Sequence, residues 1–194
     1  MTDVKTMDEK ESLLADMLSL VSGDAKDPEM EKMLRQVIFD NKKPYEMAGL
    51  KSETIDWIHR QGYEAYTHGK YVKARNAFAT LRTLDPDNFD YAMALAGSHQ
   101  QLKDYLSATQ TYAMCMMLDK TNPLPYFYSS ECFLQLGMTD LAALMLSTTV
   151  QLAAIDARYS NLKEQAEALL NGMKGNPNRA AGDSVPQQIP EITR

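Results

Sequence analysis

An all-α fold is what this sequence predicts: three tandem helical hairpins forming a short right-handed superhelix, with a helical arm before them and a capping helix after. Three observations point there. The 194-residue chain holds only 9 glycines and 8 prolines against 13 methionines, a mix that favours helices over sheet. Residues recur in step every 34 positions through the middle of the chain. The columns that recur include small side chains, which closely crossing helices need.

The period emerges when Gly69-Lys70-Tyr71 is set against Leu102-Lys103-Asp104-Tyr105 and then Gly137-Met138-Thr139-Asp140. Gly62, Ala96 and Ser130 then share a column, as do Ala74, Ala108 and Ala142, Phe78, Tyr112 and Leu146, and Asp85 and Asp119. This is the period and chemistry of the tetratricopeptide repeat (TPR), two antiparallel helices A and B per unit. Gly62, Ala96 and Ser130 supply the small residue on helix A, and Ala74, Ala108 and Ala142 supply it on helix B. Phe78, Tyr112 and Leu146 fill the gap between neighbouring repeats, and Pro86 closes the first repeat. The repeats span about 55–88, 89–122 and 123–155 within 54–155, the third being the most divergent. Helices are expected over 54–68, 71–84, 88–102, 105–118, 124–136 and 139–153.

A further helix, about 156–173, carries Leu162, Ala166, Leu169 and Met173 on one stripe and serves as the cap (156–174) that an open solenoid end requires. From 175 to 194 proline, glycine and polar residues dominate, the composition of a disordered tail. Its Pro186 and Ile189-Pro190 are spaced as in a groove ligand and suggest a placeholder. The arm, residues 1–50, contains two helical segments, about 8–21 and 28–40, with Asp27-Pro28 as N-cap and first helical residue of the second. Leu13, Leu14, Met17, Leu18 and Val21 form one apolar stripe, and Met30, Met33, Leu34, Val37 and Ile38 another. Such stripes must be buried, either on the repeats or on a second copy of the chain. For the second case Leu14, Leu18, Met33, Leu34 and Val37 are the dimerisation candidates.

Stacked TPRs curve with the A helices on the concave side. The frame puts Asp56, His59, Tyr63 and Tyr66 there from the first repeat, Asp90, Met93, Gly97 and Gln100 from the second, and Leu124, Phe127, Glu131 and Leu134 from the third. The lining is aromatic and apolar with scattered charge, which suits an apolar peptide ligand. Gly97 leaves a dent for a ligand side chain. Covering of Tyr63, Tyr66, Phe127 and Leu134 by the arm is the plainer alternative. Of the methionines around repeat two (Met93, Met114, Met116, Met117), any that face the groove would help it accept more than one client.

Other classes find little support. A net charge of −6 argues against nucleic acid. No apolar run reaches eighteen residues, so no membrane-spanning helix is expected, and the acidic start argues against a secretory signal. Cys115 and Cys132 lack CxxC spacing and read as small core residues in a reducing compartment. His68 reads as a solvated turn residue and His99 as a satisfied core histidine. Without a phosphate loop, an HExxH or an acidic metal cluster, no enzyme activity, metal or cofactor is expected. A cationic clamp for an acidic C-terminus is missing, since the corresponding positions hold His59, Tyr63, Ala94, Leu124 and Tyr128.

The stretch Tyr66-Thr-His-Gly-Lys-Tyr71, with Ala74 and Phe78, resembles the first repeat of the translocator chaperones of bacterial type III secretion, the class II chaperones of the SycD/LcrH/IpgC type. Ser130-Glu-Cys-Phe-Leu-Gln-Leu-Gly137 is similar to that family's third repeat, and the layout agrees over roughly 30–172. The resemblance implies a bacterial cytosolic chaperone that clamps an extended N-proximal segment of hydrophobic translocators in its groove, keeping them soluble and unassembled before export. It also implies dimerisation through the arm. The family's aromatic groove positions fall on His59, Tyr63 and Tyr66, with His59 a departure from the usual phenol. The alternative is a general TPR scaffold in another complex.

Overall fold

The computed structural model describes residues 6–22 and 28–175. The expected disordered tail and its placeholder segment lie outside the described residues from 176 onward, as does Asp27. All regular structure among the described residues is helical, in two compact units that divide between Ile55 and Asp56.

The first unit holds α1 (Met7–Ser22), α2 (Pro28–Ile38) and α3 (Pro44–Met47). A reciprocal capping box starts α1: the Thr6 amide donates to Glu9 Oε2 at 2.6 Å and the Glu9 amide donates to Thr6 Oγ1 at 3.3 Å. Arg35 on α2 reaches Glu11 on α1 at 3.3 Å and Glu31 at 3.0 Å, and its guanidinium lies 5.6 Å from the Phe39 ring centre. These groups are about half exposed, so the ion pairs orient the helices more than they stabilise them. The single turn α3 was not expected from the sequence; Pro44 at its first position and the Lys43 backbone amide, which donates to Glu46 Oε2 at 2.8 Å, form it.

The second unit takes in most of α4 (Ser52–Thr67), then α5 (Tyr71–Leu84), α6 (Phe89–Gln101), α7 (Tyr105–Leu118), α8 (Leu124–Gln135), α9 (Thr139–Ala153) and α10 (Ser160–Gly175). Each helix from α5 to α10 packs on its neighbour in sequence, which makes the stack a solenoid of hairpins. Its crossing points are the predicted columns. A β-carbon on Gly62 would sit 3.1 Å from Ala77 Cβ and from the Phe78 ring. Ala74, Ala96, Ala108, Ser130 and Ala142 have no exposed surface, and Phe78, Tyr112 and Leu146 are buried beside them.

Caps set the helix ends. Asn88 Oδ1 accepts the amides of Asp90 and Tyr91, and Asp104 accepts that of Ser107. The A-to-B turns need a left-handed residue at one register position. Gly69 (φ 70°) and Gly137 (φ 72°) supply it in repeats one and three, whereas Lys103 (φ 60°) is held there in repeat two. The last helix begins later than the periodicity indicated. Asp156 accepts the Arg158 amide at 2.9 Å and its carboxylate pairs with the Arg158 guanidinium, which closes a 3-10 turn over Ala157–Tyr159 ahead of α10. Helix α10 packs on α9, and Ala166 with Leu162, Leu169 and Met173 closes a cluster on Phe127 and Leu146.

Candidate functional site on the A-helix face

Helices α4, α6 and α8 are the A helices, and their side chains meet from one repeat to the next. Those contacts follow a register. The His59 ring on α4 lies 5.4 Å from that of Tyr91 on α6. In the next repeat Met93 joins a cluster with Leu124 and Tyr128 on α8. In the last, Phe127 joins Ala166 and Leu162 on α10. Tyr66 on α4 fills the dent at Gly97 on α6: its hydroxyl would stand 3.3 Å from a β-carbon there. One repeat later, Gln100 on α6 donates its amide N–H to Glu131 Oε2 on α8 at 3.0 Å.

This register corrects the expected open lining at four positions. Tyr66, Met93, Phe127 and Leu134 are all buried, Phe127 to 3 % exposure. The reason is geometric: the side of each A helix that faces the next repeat is closed by that repeat. The capping helix does the same for the third. What stays accessible is Tyr63, 43 % exposed because no A helix of a preceding repeat lies against its position, the exposed Asp56, and the half-buried His59, Asp90, Gly97, Gln100, Leu124 and Glu131. Tyr63 and Leu124 are therefore the apolar side chains available to a ligand, and the dent expected at Gly97 is taken by Tyr66.

Under this face runs a polar chain. Tyr112 on α7, fully buried, donates its hydroxyl to Gln100 Oε1 at 2.7 Å, and Gln100 in turn donates to Glu131. Burial pushes the Glu131 carboxyl up to about 7, with the Gln100 hydrogen bond opposing the rise. Burial also raises Tyr66 and Tyr128 to about 12, Cys132 likewise, and holds Tyr112 well above the usual phenol range. The chain was not read from the sequence. Its signal was the phenol of Tyr112 in a column whose other members, Phe78 and Leu146, are apolar, because a buried hydroxyl calls for a partner. His59 carries another polar feature: its Nε2 is buried without a hydrogen-bond partner, between the rings of Phe78 and Tyr91.

The other candidates lie away from this face or in the core. His68 is exposed, with Nδ1 2.7 Å from Glu64 O, and His99 Nδ1 lies 3.2 Å from Asp104 Oδ2. Cys115 and Cys132 are buried free thiols, each pushed by burial to about 12. No group of three metal-ligating side chains exists among the described residues, and no helix among them is long and apolar enough to cross a membrane. Of the dimerisation candidates, Leu14 is 2 % exposed, Leu18 and Leu34 are half-buried, and Met33 and Val37 are 48 % and 44 % exposed.

No protein-family model matches the chain. Among individual proteins, low calcium response locus protein H of Yersinia pestis is 25 % identical over 125 residues, covering 64 % of this chain and 74 % of that protein. Among solved structures, PcrH from Pseudomonas aeruginosa is 30 % identical with a TM-score of 0.61, covering 64 % of this chain and 95 % of PcrH. PcrH in complex with the chaperone binding region of PopB gives 31 %, a TM-score of 0.59, and coverages of 62 % and 97 %. The matched lengths take in almost all of PcrH at this identity, over the same stack of hairpins. The chain belongs to the translocator chaperones of bacterial type III secretion, the group of PcrH, SycD, SicA and low calcium response locus protein H.

Proposed function

We propose that this chain is a type III secretion chaperone that holds an extended, N-proximal segment of hydrophobic translocator proteins along its A-helix face. Bound so, the client stays soluble and unassembled in the bacterial cytosol until export. The observation that carries the reading is the face itself: Tyr63 and Leu124 keep apolar surface accessible on the A helices, among the half-buried polar groups His59, Gln100 and Glu131. PcrH, a relative of this chain, has been solved with the chaperone binding regions of PopD and PopB. Each apolar anchor seated there is worth about 1.5–3 kcal/mol before ordering costs, so a few anchors give micromolar or tighter binding. The chaperone role calls on no catalytic group. The arm, with Met33 and Val37 exposed on α2, is the element for self-association; the three repeats from about 54 to 155 and the cap from 156 to 174 form the binding body.

Co-expression of the chain with the hydrophobic translocators of its own secretion system tests this. A translocator should co-purify with the wild type and be lost with Tyr63→Ala/Leu124→Ala, a pair chosen because neither side chain is buried. If nothing apolar co-purifies, or the double variant retains the client, a general TPR scaffold becomes the better account.

A further inference from the structure

Glu131 is a carboxylate that the fold draws down into the A-helix face, onto the end of the polar chain. Its Oε2 accepts from Gln100, and no other donor reaches its carboxylate among the described residues. The amide orientation of Gln100 is locked, because its Oε1 is taken by the Tyr112 hydroxyl at 2.7 Å. The polar chain therefore runs one way, from Tyr112 through Gln100 to Glu131, and ends on an acceptor with lone pairs to spare. A carboxylate has about four such sites, so a half-buried one with a single protein donor has room to accept from a ligand. Its surroundings are neutral: Tyr128 and Cys132 on its own helix, Gln100 on α6, Tyr112 on α7, and Tyr66 on α4 beyond. The twelve A-helix positions that the frame turns toward a ligand include Asp56, Asp90 and Glu131, but no lysine or arginine.

We propose that Glu131 is a specificity-determining residue of this face, receiving a lysine or arginine side chain of the client segment at the junction of the second and third repeats. This rests on the chaperone reading above and names what that reading leaves open. A long cationic side chain suits the place, since its aliphatic stem lies along apolar surface while its head reaches the carboxylate. The Leu124 side chain and the Tyr128 ring, both on α8 and half-buried, supply that surface. Pairing in a poorly hydrated spot is strong, and it discriminates because a client without the cation leaves the carboxylate unpaired. Glu131 must be ionised to pair, and burial holds its carboxyl at about 7 in the free chain. The facing tyrosines and Cys132 stay neutral throughout the neutral range, so Glu131 alone of this group changes charge there.

The probe is the N-proximal segment of whichever translocator co-purifies with the chain, made as a peptide set with each Lys or Arg replaced in turn by Gln. Calorimetric titration against the full chain and its Glu131→Gln variant should show tenfold or greater weakening by the variant at pH 8. One replaced cation should weaken the wild type by a similar factor and leave Glu131→Gln unchanged. Wild-type affinity should drop by up to about tenfold from pH 8 to pH 6, while the variant stays flat. A thermal melt of Glu131→Gln no lower than wild type confirms an intact fold. Equal affinity of the two chains, or a loss coupled to no single cation of the peptide, overturns the assignment. Absence of wild-type binding to any segment would instead overturn the chaperone reading.

Discussion

Helix α2 of the arm and helix α6 of the second repeat are of similar length and stand in opposite circumstances. α2 has no buried residue, and Met33 and Val37 lie open on it. α6 buries seven of its thirteen residues, with Ala92 and Ala96 fully enclosed. Yet α2 is the one with the clean amphipathic pattern, whereas α6 is apolar nearly all round. A one-sided stripe marks a helix with a single neighbour to find. A helix that is apolar on every side belongs between neighbours, as α6 does between α5 and α7 with α4 and α8 beside it. Burial is therefore far deeper on α6 than on α2, where Met33 and Val37 stay exposed.

Substitutions can break or sharpen that contrast. The largest effect belongs to the repeat core: Phe78→Ala, at a fully buried position, should cost about 3–5 kcal/mol, measured by chemical denaturation. Next comes the buried carboxyl. Folding raises Glu131 from the ordinary 4.5 to about 7, so the folded state holds its proton more tightly than the unfolded chain does. Its stabilising share is full below the unfolded value and is lost as pH rises through about 7. On that account stability should fall by up to about 3 kcal/mol between pH 4.5 and pH 8, and Glu131→Gln should flatten this part of the profile.

Smaller effects come from the helix ends. Removing the Asn88 cap in Asn88→Ala should cost about 1 kcal/mol in thermal unfolding. Lys103→Gly should instead stabilise by up to about 1 kcal/mol, since the left-handed backbone there favours glycine, as repeats one and three have it. The smallest effect on stability is expected in the arm. Met33→Gln/Val37→Gln should leave the melting midpoint within the equivalent of about 0.5 kcal/mol while reducing self-association in analytical ultracentrifugation. A large drop in stability from this pair would mean that α2 is already part of the monomer's core.

Much of the fold could be read before any coordinates. The 34-residue columns placed α5, α7 and α9 within a residue or two, because caps and turns recur with the period. They also named the small residues at the crossings, where Gly62 has no room for a side chain. α3 escaped, being one turn too short for periodicity to register, and the start of α10 escaped because Asp156 imposes a 3-10 turn that apolar spacing does not encode. The face was legible as a set of positions, but not as open or closed. Tyr63 and Tyr66 look alike in the frame, and only one of them has a neighbouring repeat to bury it.

By itself, then, the sequence determined the helices, their pairing and the small residues at their crossings, because these follow from local periodicity and the volume of single side chains. Tertiary structure decided what the repeats do to one another. It buried Phe127 under the capping helix, seated Tyr66 on Gly97, and joined Tyr112, Gln100 and Glu131 across three helices. Those outcomes depend on which side chains meet between successive repeats, and a carboxylate's partners, hydration and charge exist only once that meeting has taken place.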